Sequence, residues 1–574
     1  MTSVQGLVLT ILLGLVALLI ATKIKPALLF VGALLVCYLG GLIEVPELMA
    51  NFANESLLIL VLLMMISGAL EKTRLITVIS QCFSKGSYNQ VIFKLTLSTA
   101  FLSSFMNNTA VVASLISAVK RNNQHAPSKL LIPLSYAAIC GGTLTLVGTS
   151  TNLIVNSFVV EQGLPSLGFF EFSLVGLVTL AAGLLVLLTF SRLLPNRVDK
   201  KSEQAGYFLE AKVKIGSPLI GLSVAQNNLR NLQQLYLAEI VREGEKICPV
   251  SPDEILREKD RLLFCGDVDS VGVLQDFQGL ELFAEHQLTG QNLVEVIVSP
   301  SASITGKTLK DCHFRENFDA VVVAIRRGHT PLEGGLGKVE LREGDTLLLA
   351  PGKAFVQNKN LARNFVVISG VDASTRLDGK RSCAVILGFL SVVLLSVFNI
   401  VPLFKGLLVL LIVSLFIGAL SWQEVRRRFP LEIWAIVGAA LSLSHLMTTT
   451  GLADTLGHFL QLNLDGFGVL GAFIAVYLVT LVLTELITNN AAAALAFPIA
   501  YSLALTYGVS TAPFIMAVIF GASASFISPF GYQTNLMVYS AGDYEFKDYL
   551  KIGIPMSITY SAVVLFTIPQ LFPF

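Results

Sequence analysis

Apolar runs of about 20 residues recur along most of this chain, and that recurrence narrows its possible folds more than any other feature. As a helix rising about 1.5 Å per residue, such a run crosses roughly 30 Å of hydrocarbon. Candidate helices lie near 4–22, 26–43, 56–72, 129–160, 168–194, 381–399, 403–420, 431–449, 511–541 and 549–572. Only 14% of the 574 residues are charged and 54% are hydrophobic. A soluble chain would carry about a quarter charged. The sequence therefore predicts a polytopic α-helical membrane protein. The first run lacks a basic leader and is soon followed by a second, so it reads as a retained helix.

Two further apolar blocks, 88–119 and 467–507, are too long for one crossing and carry polar centres. The first holds the stretch SSFMNNTAVVASL at 103–115. An unsatisfied amide or hydroxyl in lipid costs on the order of several kcal/mol. Such a centre is either a protein-buried structural knot or a place that handles something polar. A lone Asn-Asn-Thr also reads as glue between helices.

Between 200 and 372 charges become frequent and alternating strand-like runs appear, such as LYLAEIV and AVVVAI. This is a soluble α/β insert between membrane half 1, 1–198, and membrane half 2, 378–574. Basic residues fix the orientation. Lys23, Lys25, Lys72, Arg74, Lys85, Lys120, Arg121, Lys129, Arg192, Arg197, Lys200, Lys201 and Arg426 to Arg428 mark one side, with Lys405 the exception. The count works if block 88–119 dips in from the cytoplasm and block 467–507 from outside. Both termini are then external, and the insert, about 200–372, is cytoplasmic at the inner (plasma) membrane. A net charge of +1 points to no nucleic-acid partner. The seven cysteines show no CxxC spacing and read as small core residues.

The halves repeat each other. NNTA at 107–110 is answered by TNNA at 488–491, and GGTLTLVGTSTNLIV at 141–155 by ASASFISPFGYQTNLMV at 522–538. Because the halves start from opposite sides, the repeat is inverted, the pattern of carriers whose site lies mid-bilayer between broken helices. The insert repeats as well: LREKDRLLF at 256–264 matches LREGDTLLL at 341–349. It reads as two tandem modules, 205–282 and 290–360, with REKD and REGD as solvated strand connections. No GxGxxG follows a strand there, so a dinucleotide pocket is not expected.

A sodium ion wants five or six hard oxygens, and neutral amides, hydroxyls and carbonyls supply them without buried carboxylates. Ser103, Asn108 and the carbonyls around Gly148 form one expected cage; Thr484, Asn489 and those around Gly531 form its mirror image. A divalent anion between them meets helix N-termini, each worth roughly half a positive charge. Asn107, Thr109, Thr149, Thr488, Asn490, Gln533 and Thr534 complete the expected shell.

At Asn107-Asn108-Thr109, Thr488-Asn489-Asn490, Gly148 to Asn152 and Gly531 to Asn535 the chain resembles the divalent anion:sodium symporter family, over about 400 residues. Two prolines typical of that family are absent from each broken-helix loop. The resemblance implies two re-entrant hairpins, sodium as coupling ion and an elevator-type motion in a homodimer. It places sodium at Asn107, Asn152, Thr488 and Asn535 as well as the two cages. Sulfate is favoured over a C4-dicarboxylate. The modules resemble the C-terminal (TrkA-C-like) regulatory modules of potassium-transport proteins, which implies a small regulatory ligand. Other readings stand beside this one: a sodium/proton exchanger or metalloid-anion exporter of the same superfamily, or a cation channel gated by its modules. An enzyme is disfavoured, since no nucleophile–base or metal cluster emerges. Glu485 is open to three roles: proton site, structural hydrogen bond, or partner of Lys94. His445 and His458 lack a metal constellation and read as ordinary.

Overall fold

The computed structural model describes the chain apart from residues 1 and 23, the stretches 198–206, 267–273, 283–293 and 370–376, and positions scattered through 74–85, 121–123, 230–234, 244–249, 275–276, 300–301, 328–335 and 352–359. Lys23, Arg74, Lys85, Arg121, Lys200, Lys201, Cys82 and Cys248 of the sequence reading lie outside the described residues.

Half 1 runs α1 (Ser3–Ala21), α2 (Pro26–Leu39), α3 (Val45–Phe52), α4 (Glu55–Glu71), α5 (Tyr88–Ser103), α6 (Asn108–Lys120), α7 (Leu131–Gly142), α8 (Ser150–Glu161) and α9 (Ser173–Phe190). Half 2 runs α10 (Gly379–Val397), α11 (Leu403–Phe416), α12 (Trp422–Arg428), α13 (Leu431–Thr449), α14 (Leu452–Leu464), α15 (Gly468–Leu486), α16 (Asn489–Thr506), α17 (Ala512–Ser523), α18 (Gln533–Ala541) and α19 (Phe546–Leu571). Among the described residues, seven helical stretches are long and apolar enough to cross a membrane. The protein is a multi-pass membrane protein.

The elements start where the sequence supplies caps. Thr2 with Gln5, Ser87 with Gln90, Ser421 with Glu424 and Glu545 with Asp548 form reciprocal capping boxes. Block 88–119 is the hairpin α5–α6, and block 467–507 is the hairpin α15–α16. Run 129–160 is broken into α7 and α8, and run 511–541 into α17 and α18. At 12 residues each, α7, α8 and α17 are about 18 Å long, too short to cross roughly 30 Å of hydrocarbon alone. Short α3 and α12 occupy matching places ahead of α4 and α13. Arg428 closes on Glu71 with two bonds of 3.0 and 2.8 Å, joining α12 to α4.

The insert holds two five-stranded antiparallel sheets, ordered β3-β2-β4-β1-β5 and β10-β6-β9-β7-β8. Their strands are β1 (Tyr207–Val213), β2 (Leu235–Arg242), β3 (Glu245–Ile247), β4 (Arg261–Gly266), β5 (Leu280–Leu282), β6 (Val294–Val298), β7 (Ala320–Arg327), β8 (Thr330–Pro331), β9 (Thr346–Pro351) and β10 (Phe365–Ser369). Matched strand for strand, the two orders are the same. Both carry the same register shift, between Leu237 and Glu239 and between Val322 and Ala324. Both bury the aspartate of the repeated turn under one arginine: Arg242 bonds Asp260 at 2.9 and 2.8 Å, and Arg327 bonds Asp345 at 2.7 Å twice.

The turns themselves differ, which corrects the expectation that both are solvated. Lys259 at the first tip takes φ +67°, a strained left-handed conformation for a lysine. Its counterpart Gly344, at φ +81°, lies against α18, where an added Cβ would stand 3.0 Å from Ser540 Oγ and 3.5 Å from Leu536. Beside it Arg326 pairs with Asp543 at 3.2 Å and Glu295 at 3.7 Å, and Lys120 at the end of α6 reaches Glu295 at 4.0 Å. The second sheet is thus seated on α6 and on the end of α18.

Candidate functional site

Each hairpin turns where a polar side chain replaces the missing backbone partners. At the first tip Asn107 Oδ1 accepts from Thr109 N at 2.9 Å, and Thr145 Oγ1 donates to Ser104 O. At the second, Thr488 is the N-cap of α16, its hydroxyl accepting from Ala491 N at 3.4 Å. The breaks are stapled by one device used twice. Asn152 Nδ2 donates to the carbonyls of Gly142 (3.2 Å) and Thr145 (2.8 Å); Asn535 Nδ2 donates to those of Ser525 (2.9 Å) and Ser528 (3.3 Å). The acceptors stand ten and seven residues upstream in both halves. Asn535 Oδ1 accepts from Ser135 at 2.7 Å, whereas buried Asn152 Oδ1 has no hydrogen-bond partner among the described residues.

Glycine at these breaks is a matter of space. A Cβ on Gly142 would stand 2.7 Å from both Asn108 amide atoms, and one on Gly148 would stand 2.5 Å from Gly142 O. On Gly531 it would lie 3.0 Å from Thr484 O. The first tip therefore packs on the first break, and the arm of the second hairpin packs on the second.

Of the three roles open to Glu485, the structure shows the hydrogen-bonded one and not a pairing with Lys94. Its carboxylate accepts from the backbone of Phe526 (2.9 Å), Ile527 (2.9 Å) and Ser528 (3.0 Å), while Lys94 is exposed on α5. Removing the carboxylate leaves three backbone N–H groups without this acceptor. Glu485→Ala is expected to destabilise the protein by about 3 kcal/mol. Thermal unfolding in detergent should show this; an unchanged midpoint would contradict the staple.

The tips bond across the halves. Asn108, whose Oδ1 accepts from Ser103 at 2.5 Å, donates through Nδ2 to Tyr532 OH at 2.7 Å, and Thr109 Oγ1 donates to Gln533 at 3.2 Å. In the opposite sense Asn489 Nδ2 donates to Thr151 Oγ1 and Ser150 Oγ donates to Asn490 Oδ1, both at 2.9 Å. Two bridges result, one joining the starts of α6 and α18 and the other those of α8 and α16. Four helix N-termini take part in these two bridges, and no lysine or arginine does among the described residues. Asn107, Gly148 and Ser150 line a cleft together with Ser67 of α4 and Phe389 of α10. Two expected site residues are otherwise engaged: Thr534 of the shell takes a bond from Ser135 at 2.8 Å, and Thr484 of the second cage donates to Ala522 O at 2.7 Å.

The profile of the citrate transporter family, CitMHS, matches residues 13–521. This chain belongs to that family. A Chlamydomonas reinhardtii protein whose name ties it to the sulfur deprivation response is 32% identical, over 92% of this chain and 95% of its own. Sodium/sulfate cotransporter 2 of the same alga is 29% identical over 66% of this chain and 46% of its own length. The Alcanivorax borkumensis YdaH transporter aligns with 99% of this chain at 11% identity and a TM-score of 0.46. As a member of the CitMHS family, the chain is a transporter.

Sequence reasoning about this CitMHS chain passed over Tyr532, Ser150 and Ser135. Each sits inside or opposite a quoted motif, but as a hydroxyl in an apolar run it has no period or spacing to mark it. His445 is not ordinary: it stands between two carboxylates, Glu47 at 3.0 Å and Glu161 at 3.5 Å.

Proposed function

We propose that this protein imports a small divalent anion, sulfate in preference to a C4-dicarboxylate, together with sodium. The observation that carries this reading is the crossed bracing of the tips, which engages four helix N-termini without a basic side chain. Helix N-termini favour an anion, and bound sodium supplies the remaining positive charge. Asn152 Oδ1 supports the ion assignment: a buried amide oxygen without a partner costs about 1–3 kcal/mol, and a sodium ion relieves that cost. Sodium is held by Asn108 and Asn152 in one half and by Asn489, with the carbonyls around Gly531, in the other. Asn107, Thr109, Thr149, Asn490 and Gln533 face the anion.

The two hairpins and the broken helices move as a block against the remaining helices, with α4 and α13 as the fixed surface, in a homodimer. The insert lies in the cytoplasm, its modules bind a small ligand, and they regulate the block on which the second is seated. Thiol labelling tests the orientation: Gln124→Cys should be reached from the cytoplasm and Gly466→Cys from outside, and the reverse pattern would overturn it.

The decisive experiment is uptake of radiolabelled sulfate and of succinate into proteoliposomes, with and without an inward sodium gradient. Sodium-dependent accumulation of sulfate is expected. Equal uptake without the gradient would reject sodium coupling, and preference for succinate would reassign the substrate.

A further inference from the structure

The face of the membrane region away from the insert carries a group of titratable side chains that the transport site does not use. His445, near the end of α13, lies with Nε2 3.0 Å from Glu47 Oε1 on α3 and Nδ1 3.5 Å from Glu161 Oε1 at the end of α8. Asn51 of α3 is buried beside them. With its oxygen accepting from Ser442 Oγ at 3.1 Å, its amide donates to both Glu161 oxygens at 3.3 Å. The other charged groups at this end of the packed elements, Glu44, Glu55, Asp454 and His458, are exposed.

Two carboxylates beside the two nitrogens of one imidazole ring form ion pairs with it only when the ring is charged. A neutral imidazole has one N–H and one lone pair, so it satisfies one carboxylate and turns a lone pair on the other. The imidazolium has an N–H on both nitrogens and places its positive charge within ion-pair distance of both carboxylates. A single metal ion cannot replace that arrangement, because the two ring nitrogens point to different carboxylates. Imidazole is also the side chain that changes charge between about pH 5 and 8.

We propose that His445, held between Glu47 and Glu161, is a proton-binding site that fastens α8 to α3 and α13 and makes transport depend on the pH of the face away from the insert. The dependence on transport rests on α8 belonging to the moving block; the proton site itself does not. A proton bound at His445 favours the arrangement seen here, in which the block is held. Deprotonation puts a lone pair against a carboxylate and releases α8, so uptake rises as external pH rises.

The test is the pH profile of sodium-driven sulfate uptake for wild type, His445→Gln and His445→Arg, with the unfolding midpoint of each measured across the same pH range. Wild-type uptake should rise about fivefold or more between about pH 5.5 and 8. His445→Gln should be fast and flat, and His445→Arg, permanently charged, slow and flat. The midpoint of wild type should exceed that of His445→Gln by about 2 °C or more at the acid end, with the gap closing at the alkaline end. A wild-type pH profile retained in His445→Gln overturns the proposal, as does an equal loss of uptake at every pH with a midpoint gap that pH does not change. If sulfate is not carried at any pH but the gap still closes with rising pH, the proton site stands and the substrate assignment falls.

Discussion

Asn108→Ala and Asn489→Ala are each expected to reduce the proposed sodium-driven sulfate uptake by about a hundredfold or more, to background in practice. The figure follows from what each side chain holds. Asn108 accepts from Ser103 at 2.5 Å and donates to Tyr532 at 2.7 Å; both partners are buried. Leaving two buried groups unpaired costs about 3 kcal/mol, and 1.4 kcal/mol is a factor of ten. The lost amide oxygen is also a sodium ligand in the proposed cage. Asn489 mirrors it through Thr151. Asn156→Ala is the comparison: that amide donates to Ser56 of α4 at 3.0 Å, away from the tips, so its loss should lower stability and shift the rate without taking uptake to background. Wild-type kinetics in both tip variants would refute the cage assignment.

Deleting 205–372 and joining the halves with a short linker should leave residual transport but remove its regulation. Ile297 of the second sheet is buried in one apolar core with the membrane helices, so the deletion also exposes surface. A milder variant separates the effects. Arg326→Glu sets a third carboxylate beside Asp543 and Glu295 and should unseat the second sheet from α18, changing the uptake rate about five- to tenfold. Adding Asp543→Arg restores an opposed pair and should return the rate toward wild type. If the deleted protein folds but carries nothing, the insert is part of the engine rather than its governor.

Much of the fold was legible because the bilayer forbids unpaired backbone. An Asn-Asn-Thr inside an apolar block too long for one crossing leaves a turned hairpin as the economical answer, and Asn108 and Asn489 sit at those turns. Glycines 142, 148 and 531 likewise mark places where two chains pass too closely for a Cβ. Short α3, α12 and α14 were not legible, since none is both long and apolar. Nor was the partner of Glu485: a carboxylate answered by backbone amides leaves no complementary charge to search for. The REGD turn misled because its twin, REKD, has the composition of a solvated loop. The difference lies in one glycine and in what rests on it.

The crossed bracing carries a consequence for descent. Asn108 reaches into the second half and Asn489 into the first, so neither half closes a binding centre alone. A single-half ancestor would have needed a second copy beside it to complete these hydrogen bonds. The fused chain makes that encounter compulsory, and two halves synthesised as separate polypeptides should stay inert until they meet.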